Sequence, residues 1–299
     1  MTYSLLYILL TAFSAVFIHG ATNNYLHPAL MLFCSTILAI VYFHCINLHQ
    51  LGFMYRTAWQ AKKYWIGSML AVAVIWLASV YGLNFVAPSV FVLLYFAMNC
   101  LLGICFDYYK NKTPYLLLMG AMLIICTIAL VGCFLHFNQI THLTYLGILL
   151  SLIGGIAVFV YSKQSYHLAT KSNLKATQIV AIRFWLILPL TAILAPEPHH
   201  ILNSLSWQNA GIVIIVALVS LIIPIFFFMK AVIKIGPEKN AILCGLTPAI
   251  TYIIEAYALH SYNSLMLSLN LITGFFIALP TLVKFLKNQR IASQIAVFK

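Results

Sequence analysis

The segment 235–259, IGPEKNAILCGLTPAITYIIEAYAL, is long and apolar enough to cross a membrane, and it carries a glutamate, Glu255, well inside it. An earlier segment, 86–107, reads VAPSVFVLLYFAMNCLLGICFD and also has a proline near its start. Pro88 and Pro237 are 149 residues apart in a chain of 299. This spacing predicts a duplicated membrane protein in which the two segments line the working cavity.

The composition excludes a soluble protein. Hydrophobic residues make up 64% of the chain and charged residues only 7%, and the mean hydropathy is +1.02. A soluble domain of this size needs many more charged groups at its surface. The net charge of +12 would favour nucleic acid as the partner of a soluble chain. Here membrane topology explains it, so no nucleic-acid partner is expected.

Ten segments have about the 20 apolar residues that a membrane-spanning helix needs. They are 3–22, 28–46, 65–84, 87–106, 115–135, 143–161, 176–195, 209–229, 238–259 and 265–283. The predicted fold is an all-α polytopic membrane protein with ten transmembrane helices. Mixed aromatic and basic residues between Tyr55 and Trp65 predict a short interfacial helix.

The basic residues predict the orientation of the chain. If the N-terminus is cytoplasmic, the cytoplasmic face receives the segments 47–64, 107–114, 162–175 and 230–237, the start of the ninth span and the tail from 284. These contain 15 of the 16 basic residues, whereas the opposite loops contain none and carry Glu197. This bias follows the positive-inside rule and predicts both termini in the cytoplasm. Anionic membrane lipids are expected partners of this basic face.

Five spans per half predict inverted repeats. An odd number of spans forces a duplicated unit to insert upside down, an arrangement that recurs in secondary transporters. The predicted units are residues 1–140 and 141–299. In each unit a tight turn joins the third span to the fourth, within the stretch 81–89 in the first and the aligned stretch 230–238 in the second.

Three places in the chain resemble the drug/metabolite transporter superfamily, in its ten-span EamA-type branch. They are the block 81–107 with its polar loop DYYKNKT and a fifth span, the run FMKAVIKIG (228–236) leading to Leu246-Thr247-Pro248, and AIRF (181–184). The arginine in AIRF resembles the family's arginine in the second span of a repeat. The first repeat has no such arginine, since its second span reads LFCS (32–35). The resemblance covers nearly the whole chain and implies a transporter of the bacterial inner membrane.

Glu255 is the sharpest candidate for a functional residue. A charged carboxylate at hydrocarbon depth costs about 2.5 kcal/mol or more, so it is expected to face protein or water. With Thr247, Pro248 and Thr251 it forms one polar helix face. The functional hypotheses are proton coupling and capture of a cationic group. The alternative is a solvated glutamate at the outer interface, because Glu255 lies about 25 Å from the cytoplasmic start of its helix.

Arg183 is the only basic residue in the interior of a predicted span. Its planar guanidinium suits a substrate carboxylate or phosphate. The alternatives are snorkelling of its side chain to the inner surface and a structural bond to backbone carbonyls. It lies much nearer the cytoplasm than Glu255, so no salt bridge between the two is expected.

The remaining candidates are polar, aromatic or helix-disrupting side chains within the spans. Tyr95 and Asn99 share a helix face and are expected to meet the Glu255 face across the cavity. Prolines within spans can act as hinges, and aromatic side chains can line the cavity. The predicted hinges are Pro88, Pro224 and Pro248, and the predicted aromatic liners are Trp76, Tyr81 and Tyr252.

No pattern in the sequence indicates an enzyme, a metal or a cofactor. Nucleotide-binding loops, metalloprotease motifs and nucleophile elbows are absent, and the seven cysteines have no metal-ligand spacing. The leading hypothesis is a secondary active transporter that exports a small polar metabolite, an amino acid or a related compound, with protons as the coupling ion. Uptake of a cofactor-like metabolite, such as S-adenosylmethionine or a nucleotide, is a second hypothesis. A lipid-linked-sugar flippase component or a non-transporting scaffold is the third.

Overall fold

The structure is a computed structural model that describes residues 2–112, 114–137, 141–195, 206–237, 240, 243–260 and 262–297. Side chains at 110–111, 280–282 and 284–297 are not described. Several residues of the orientation argument therefore lie outside the described part, either entirely or by their side chains. They are Glu197, Lys239, Lys299, Lys110, Lys284, Lys287 and Arg290.

The described residues of the first half form helices joined by short turns. The helices are α1 (Thr2–Asn24), α2 (Pro28–Ile46), α3 (Leu51–Gln60), α4 (Lys62–Phe85), α5 (Pro88–Asn111) and α6 (Pro114–Phe137). Pro28, Pro88 and Pro114 begin their helices, a position where the missing N–H of proline costs nothing. A short helix, α3, lies where the interfacial helix was expected, but the predicted stretch from Tyr55 to Trp65 is divided between α3 and the start of α4.

The second half is more interrupted. It contains α7 (His142–Ser172), α8 (Ala176–Ile182), α9 (Ile187–Leu194), α10 (Trp207–Val216), α11 (Ile223–Ile235), α12 (Thr247–Leu259) and α13 (Ser264–Val297). A π-helical segment, Ala217–Ile222, joins α10 to α11. A 3₁₀ turn, Cys244–Leu246, precedes α12.

The regular structure of the described residues is all helical, and its long apolar helices indicate a multi-pass membrane protein. In the described part, seven helices are long and apolar enough to cross a membrane, and the pair α8–α9, bent by 41°, makes an eighth if it is one span. Among the described residues, the ninth and tenth predicted spans are represented by shorter apolar helices, α12 with 13 residues and the stretch Ser264–Leu279 of α13.

The seventh predicted span, 176–195, is wrong as a continuous helix. The helix breaks at residues 183–186. Pro189 lies in the first turn of α9 and has no N–H to bond the carbonyl of Trp185, four residues earlier. The break places Arg183 at a helix end inside the protein.

Small residues bring α7 and α5 into close contact. A Cβ atom added at Gly155 would lie 2.4 Å from the carbonyl oxygen of Tyr95, and one at Gly154 would lie 2.9 Å from the Tyr95 ring. Gly245 and Gly274 approach each other as closely, since a Cβ at Gly274 would lie 2.7 Å from the Gly245 carbonyl oxygen. These contacts require glycine and fix the distance between the helices.

Candidate functional site

A cavity lies between helices of both halves of the chain. It contains about 750 Å³ of space that no protein atom fills, its opening included. Its wall is mostly apolar and aromatic, with a few hydroxyl groups and, among the described residues, a single charged side chain, that of Arg183. The aromatic and polar members of the wall are Tyr7, Thr11, Ser14, Trp76, Ser79, Phe91, Tyr95, Phe96, Tyr161, Arg183, Ser220 and Phe228.

Arg183 is almost fully buried, with 1% of its surface exposed. Nη1 donates a hydrogen bond to the hydroxyl of Tyr161, which in turn donates to Sδ of Met229. The guanidinium carbon lies 4.8 Å from the centre of the Tyr161 ring and 4.7 Å from that of Phe184. The side chain therefore does not snorkel to the surface, and that alternative is wrong.

Two donor groups of Arg183 remain unused. Nε and Nη2 are buried and have no hydrogen-bond partner in the described part of the chain. The second alternative, a structural bond to backbone carbonyls, therefore does not account for them. Unpaired donors on a buried cation are costly, and a planar anion can satisfy them in pairs. The arrangement can bind a carboxylate or a similar oxyanion inside the cavity.

A hydrogen-bonded cluster at one end of the bundle holds the break beside Arg183. Trp65 Nε1 donates to the carbonyl oxygen of Ile182 at 2.8 Å. Trp185 Nε1 donates to the hydroxyl of Tyr55 at 2.6 Å, and that hydroxyl lies 2.7 Å from Nε2 of His44. The residues on both sides of Arg183 are thus tied to α2, α3 and the start of α4.

Several polar cavity residues were not predicted from the sequence. Tyr7, Thr11 and Ser14 lie on one face of α1, at spacings of four and three residues, and all three line the cavity. Ser14 Oγ donates to Ser220 Oγ at 2.6 Å, which joins α1 to the π-helical segment. The same periodicity that singled out the Glu255 face would have found these three residues.

Glu255 is buried, with 6% of its surface exposed, and lies outside the cavity wall. Its Oε2 accepts a hydrogen bond of 2.6 Å from the backbone N–H of Ser89. Ser89 is in the first turn of α5, where backbone N–H groups have no partner within the helix. Glu255 therefore caps α5 from α12, and the alternative of a solvated interfacial glutamate is wrong.

The expectation that the Asn99 and Thr247–Thr251 faces meet across the cavity needs correction, since none of these side chains lines it. The hydroxyls of Thr247 and Thr251 bond to the carbonyls of Cys244 and Thr247 in their own helix segment. Asn99 is buried in α5 with its Oδ1 unpaired in the described part of the chain. α5 and α12 do pack together, but the side chains of Asn99, Thr247 and Thr251 do not border the cavity.

Only some of the predicted aromatic residues line the cavity. Trp76 and Tyr95 line the cavity, whereas Tyr81 and Tyr252 do not. The Tyr252 hydroxyl bonds instead to the backbone of Asn263.

Two of the three predicted hinge prolines lie at the starts of helices. Pro88 and Pro248 lie in the first turns of α5 and α12, where a proline does not interrupt the hydrogen bonds of its helix. Pro224 lies within the continuous span Trp207–Ile235, next to the π-helical segment, and lines the cavity. Proline lacks an N–H and its ring crowds the carbonyl four residues earlier, here that of Ser220, which accounts for the wide turn.

Comparisons with known proteins bear on the fold alone. No family model matches the sequence, and no curated protein matches it. Among solved structures, 23 chains match the fold. One of them, a crystal structure of a protein, has a TM-score of 0.66 with 15% sequence identity, over 94% of this chain and 96% of that one. The described fold thus has a full-length counterpart among solved structures.

Proposed function

We propose that the protein is a secondary active transporter that moves a small polar metabolite with a carboxylate or similar anionic group, such as an amino acid or a related compound, by alternating access. The proposed direction is export across a bacterial inner membrane. The observation that carries the proposal is Arg183, a buried cation with two unused donors on the wall of a cavity between the two halves of the chain.

The energetics of Arg183 support a ligand there. Burying the charge of Arg183 costs free energy, and its partners, a phenol hydroxyl and two aromatic rings, offset only part of that cost. An oxyanion that pairs with Nε and Nη2 offsets that cost with two parallel hydrogen bonds. Aromatic and apolar neighbours then contact the body of the metabolite, a common composition for small-molecule sites.

Helix packing supports the two inverted repeats of five spans. In the proposed pairing, α1, α4 and α5 correspond to α7, α11 and α12. α7 packs against α4 and α5, and α1 packs against α11 and α12. Each contact of one half thus has a counterpart with the halves exchanged, as an axis in the membrane plane produces. α6 and α13, the fifth helices, pack against each other.

Interrupted helices on the cavity wall support a movable site. The break at Arg183 and the π-helical segment before Pro224 both border the cavity. Discontinuous helices and π-bulges recur at binding sites of transporters and other proteins. Rocking of one repeat against the other about these breaks would open the cavity alternately to the two sides.

Glu255 is the proposed proton-coupling group and outer gate. Its bond to Ser89 joins α12 of one half to the first turn of α5 of the other. Protonation removes the charge that strengthens this bond and so weakens the closed outer side. Glu255→Gln in proteoliposomes is expected to abolish transport or to uncouple it from the proton gradient. Unchanged, proton-dependent flux would remove Glu255 from this role.

A thermal-shift screen on purified protein tests the substrate class. Amino acids, nucleotides and S-adenosylmethionine are added at two pH values, to wild type and to Arg183→Gln. Carboxylate metabolites are expected to raise the unfolding temperature of wild type only. A nucleotide that stabilises both proteins equally would contradict the proposed site, because nucleotide phosphates need more cationic partners than the described cavity offers.

One observation favours a second candidate function, the movement of a lipid-linked sugar. A separate apolar groove runs between α1, α10 and α12 and is lined by Phe13, Phe17, Tyr25, Ile254 and Tyr257 among others. It is suited to an acyl chain. Stabilisation by a polyprenyl-linked sugar, without any response to soluble metabolites, would favour this candidate over the first.

A further inference from the structure

A second site lies away from the central cavity, in a cleft at the end of the bundle where α1 begins and α7 and α11 end. The cleft contains about 1170 Å³ of space free of protein atoms, its open mouth included. Three lysines border it, Lys175 before α8 and Lys230 and Lys234 in α11. Its other walls include Tyr3, Ala169, Leu174, Phe226 and Ile233.

The three lysines concentrate positive charge in the cleft. No acidic side chain is among the described residues of the cleft. Lys230 and Lys234 are four residues apart on one helix face, where like charges repel. Their ammonium nitrogens lie 5.6 and 5.8 Å from the centre of the same Tyr3 ring. All three lysines are exposed, so an anion can reach them.

The lining of the cleft suits one kind of anion. Phe226 and Ile233 are half-buried apolar side chains next to the lysines. A ligand that fills the cleft would thus place a charged group on the ammonium groups and an apolar part along the helices. Basic pockets between transmembrane helices bind the headgroups of anionic lipids, and a phospholipid has both parts.

We propose that the cleft binds the phosphate headgroup of an anionic phospholipid, which bridges the start of α8 and the end of α11. In the proposed orientation this lipid belongs to the cytoplasmic leaflet. The bound lipid would hold α8, and with it the break beside Arg183, against α11. The binding itself does not depend on the transport function.

Two simpler explanations for lysines at these positions can be distinguished from a lipid-binding site. Lys234 in the last turn of α11 is favoured by the helix dipole, and basic residues at this face follow from the positive-inside rule. Either origin would give a diffuse charge effect that any basic pair at this end of the bundle shares. Lys62 and Lys63 are such a pair, exposed at the start of α4 and outside the cleft.

Native mass spectrometry of the full-length protein in a neutral detergent tests the proposal. The probes are phosphatidylglycerol, phosphatidylcholine and glycerol 3-phosphate. The variants are Lys230→Gln/Lys234→Gln, Lys175→Gln and the control Lys62→Gln/Lys63→Gln. Phosphatidylglycerol is expected to bind wild type and the control equally. Its affinity should fall about fivefold for each cleft lysine removed, and phosphatidylcholine should bind more weakly throughout.

Two results would overturn the proposal. An equal loss of phosphatidylglycerol binding in the control pair would show a diffuse charge effect. Glycerol 3-phosphate that binds as tightly as the lipid, and is lost in the same variants, would show a site for a soluble phosphate. All the substituted lysines are exposed, and the conservative Lys230→Arg/Lys234→Arg variant should keep lipid binding.

Discussion

Arg183 and Glu255 are both buried, but their hydrogen bonding differs. Arg183 lies on the wall of a cavity, and two of its donors have no partner in the described part of the chain, so a bound anion could pair with them. The carboxylate of Glu255 is bonded to the backbone of Ser89, so in this conformation it already has a partner. We therefore propose a binding role for Arg183 and a gating role for Glu255.

The capping bond of Glu255 can be tested by a pair of substitutions. Glu255→Ala leaves the Ser89 N–H without an acceptor and is expected to lower the free energy of unfolding by about 1.5–3 kcal/mol. Glu255→Gln keeps a neutral acceptor and should lose about half as much. Thermal unfolding in detergent measures both. Wild-type stability in the alanine variant would show that the cap contributes nothing.

At the scale of helices, glycine positions decide how closely α5 and α7 approach. Gly155→Ala would push a methyl group into the Tyr95 carbonyl and is expected to destabilise the protein by about 1–3 kcal/mol. Gly103 is also helical but has no atom within 4 Å of an added Cβ. Gly103→Ala is the matched control and should be neutral or stabilising, because alanine favours helix.

The same unfolding measurement compares the two glycine variants. Equal stability of Gly155→Ala and Gly103→Ala would contradict the close packing of α5 on α7. Loss of stability confined to Gly155→Ala would confirm that the contact between α5 and α7 requires glycine at this position. The residue contacted, Tyr95, also lines the cavity.

The sequence predicted continuous spans better than broken ones. Apolar length alone locates α1, α2 and α4–α6 to within about five residues at each end, because lipid requires an uninterrupted hydrogen-bonded helix. It also locates the start of α7, but α7 continues to Ser172, well beyond the predicted end at residue 161. The break at Arg183 escapes this criterion, since the apolar sequence continues through Phe184, Trp185 and Leu186 beyond the arginine. Pro189 was the available signal, and its effect depends on Trp65 and Tyr55 holding the freed segment.

The cavity was predicted only in part, for a related reason. Periodicity identified Tyr95, but it also selected Asn99 and Thr251, which face other helices or bond within their own. A helix in a bundle has several buried faces, and only the packing of its neighbours decides which of them borders a cavity. Only the fold brings Tyr161 of α7 to Arg183.

For the whole molecule, the proposed ten spans require that residues near 260 and residues near 299 lie on opposite sides of the membrane. Alkaline phosphatase and green fluorescent protein fused after His260, and separately after Lys299, report the two sides. Phosphatase activity is expected at 260 and fluorescence at 299. The same reporter response at both sites would contradict the tenth span and the proposed inverted repeat.

Transport by the intact protein depends on Arg183 if the proposed function is correct. Proteoliposomes are loaded with the carboxylate metabolite that gives the largest thermal shift, and uptake of its labelled form by exchange is followed. The control, Lys171→Gln, removes an exposed charge far from the cavity wall. Wild type and the control are expected to exchange the metabolite, and Arg183→Gln to lose at least about tenfold in affinity. Exchange by Arg183→Gln at the wild-type affinity would contradict the account.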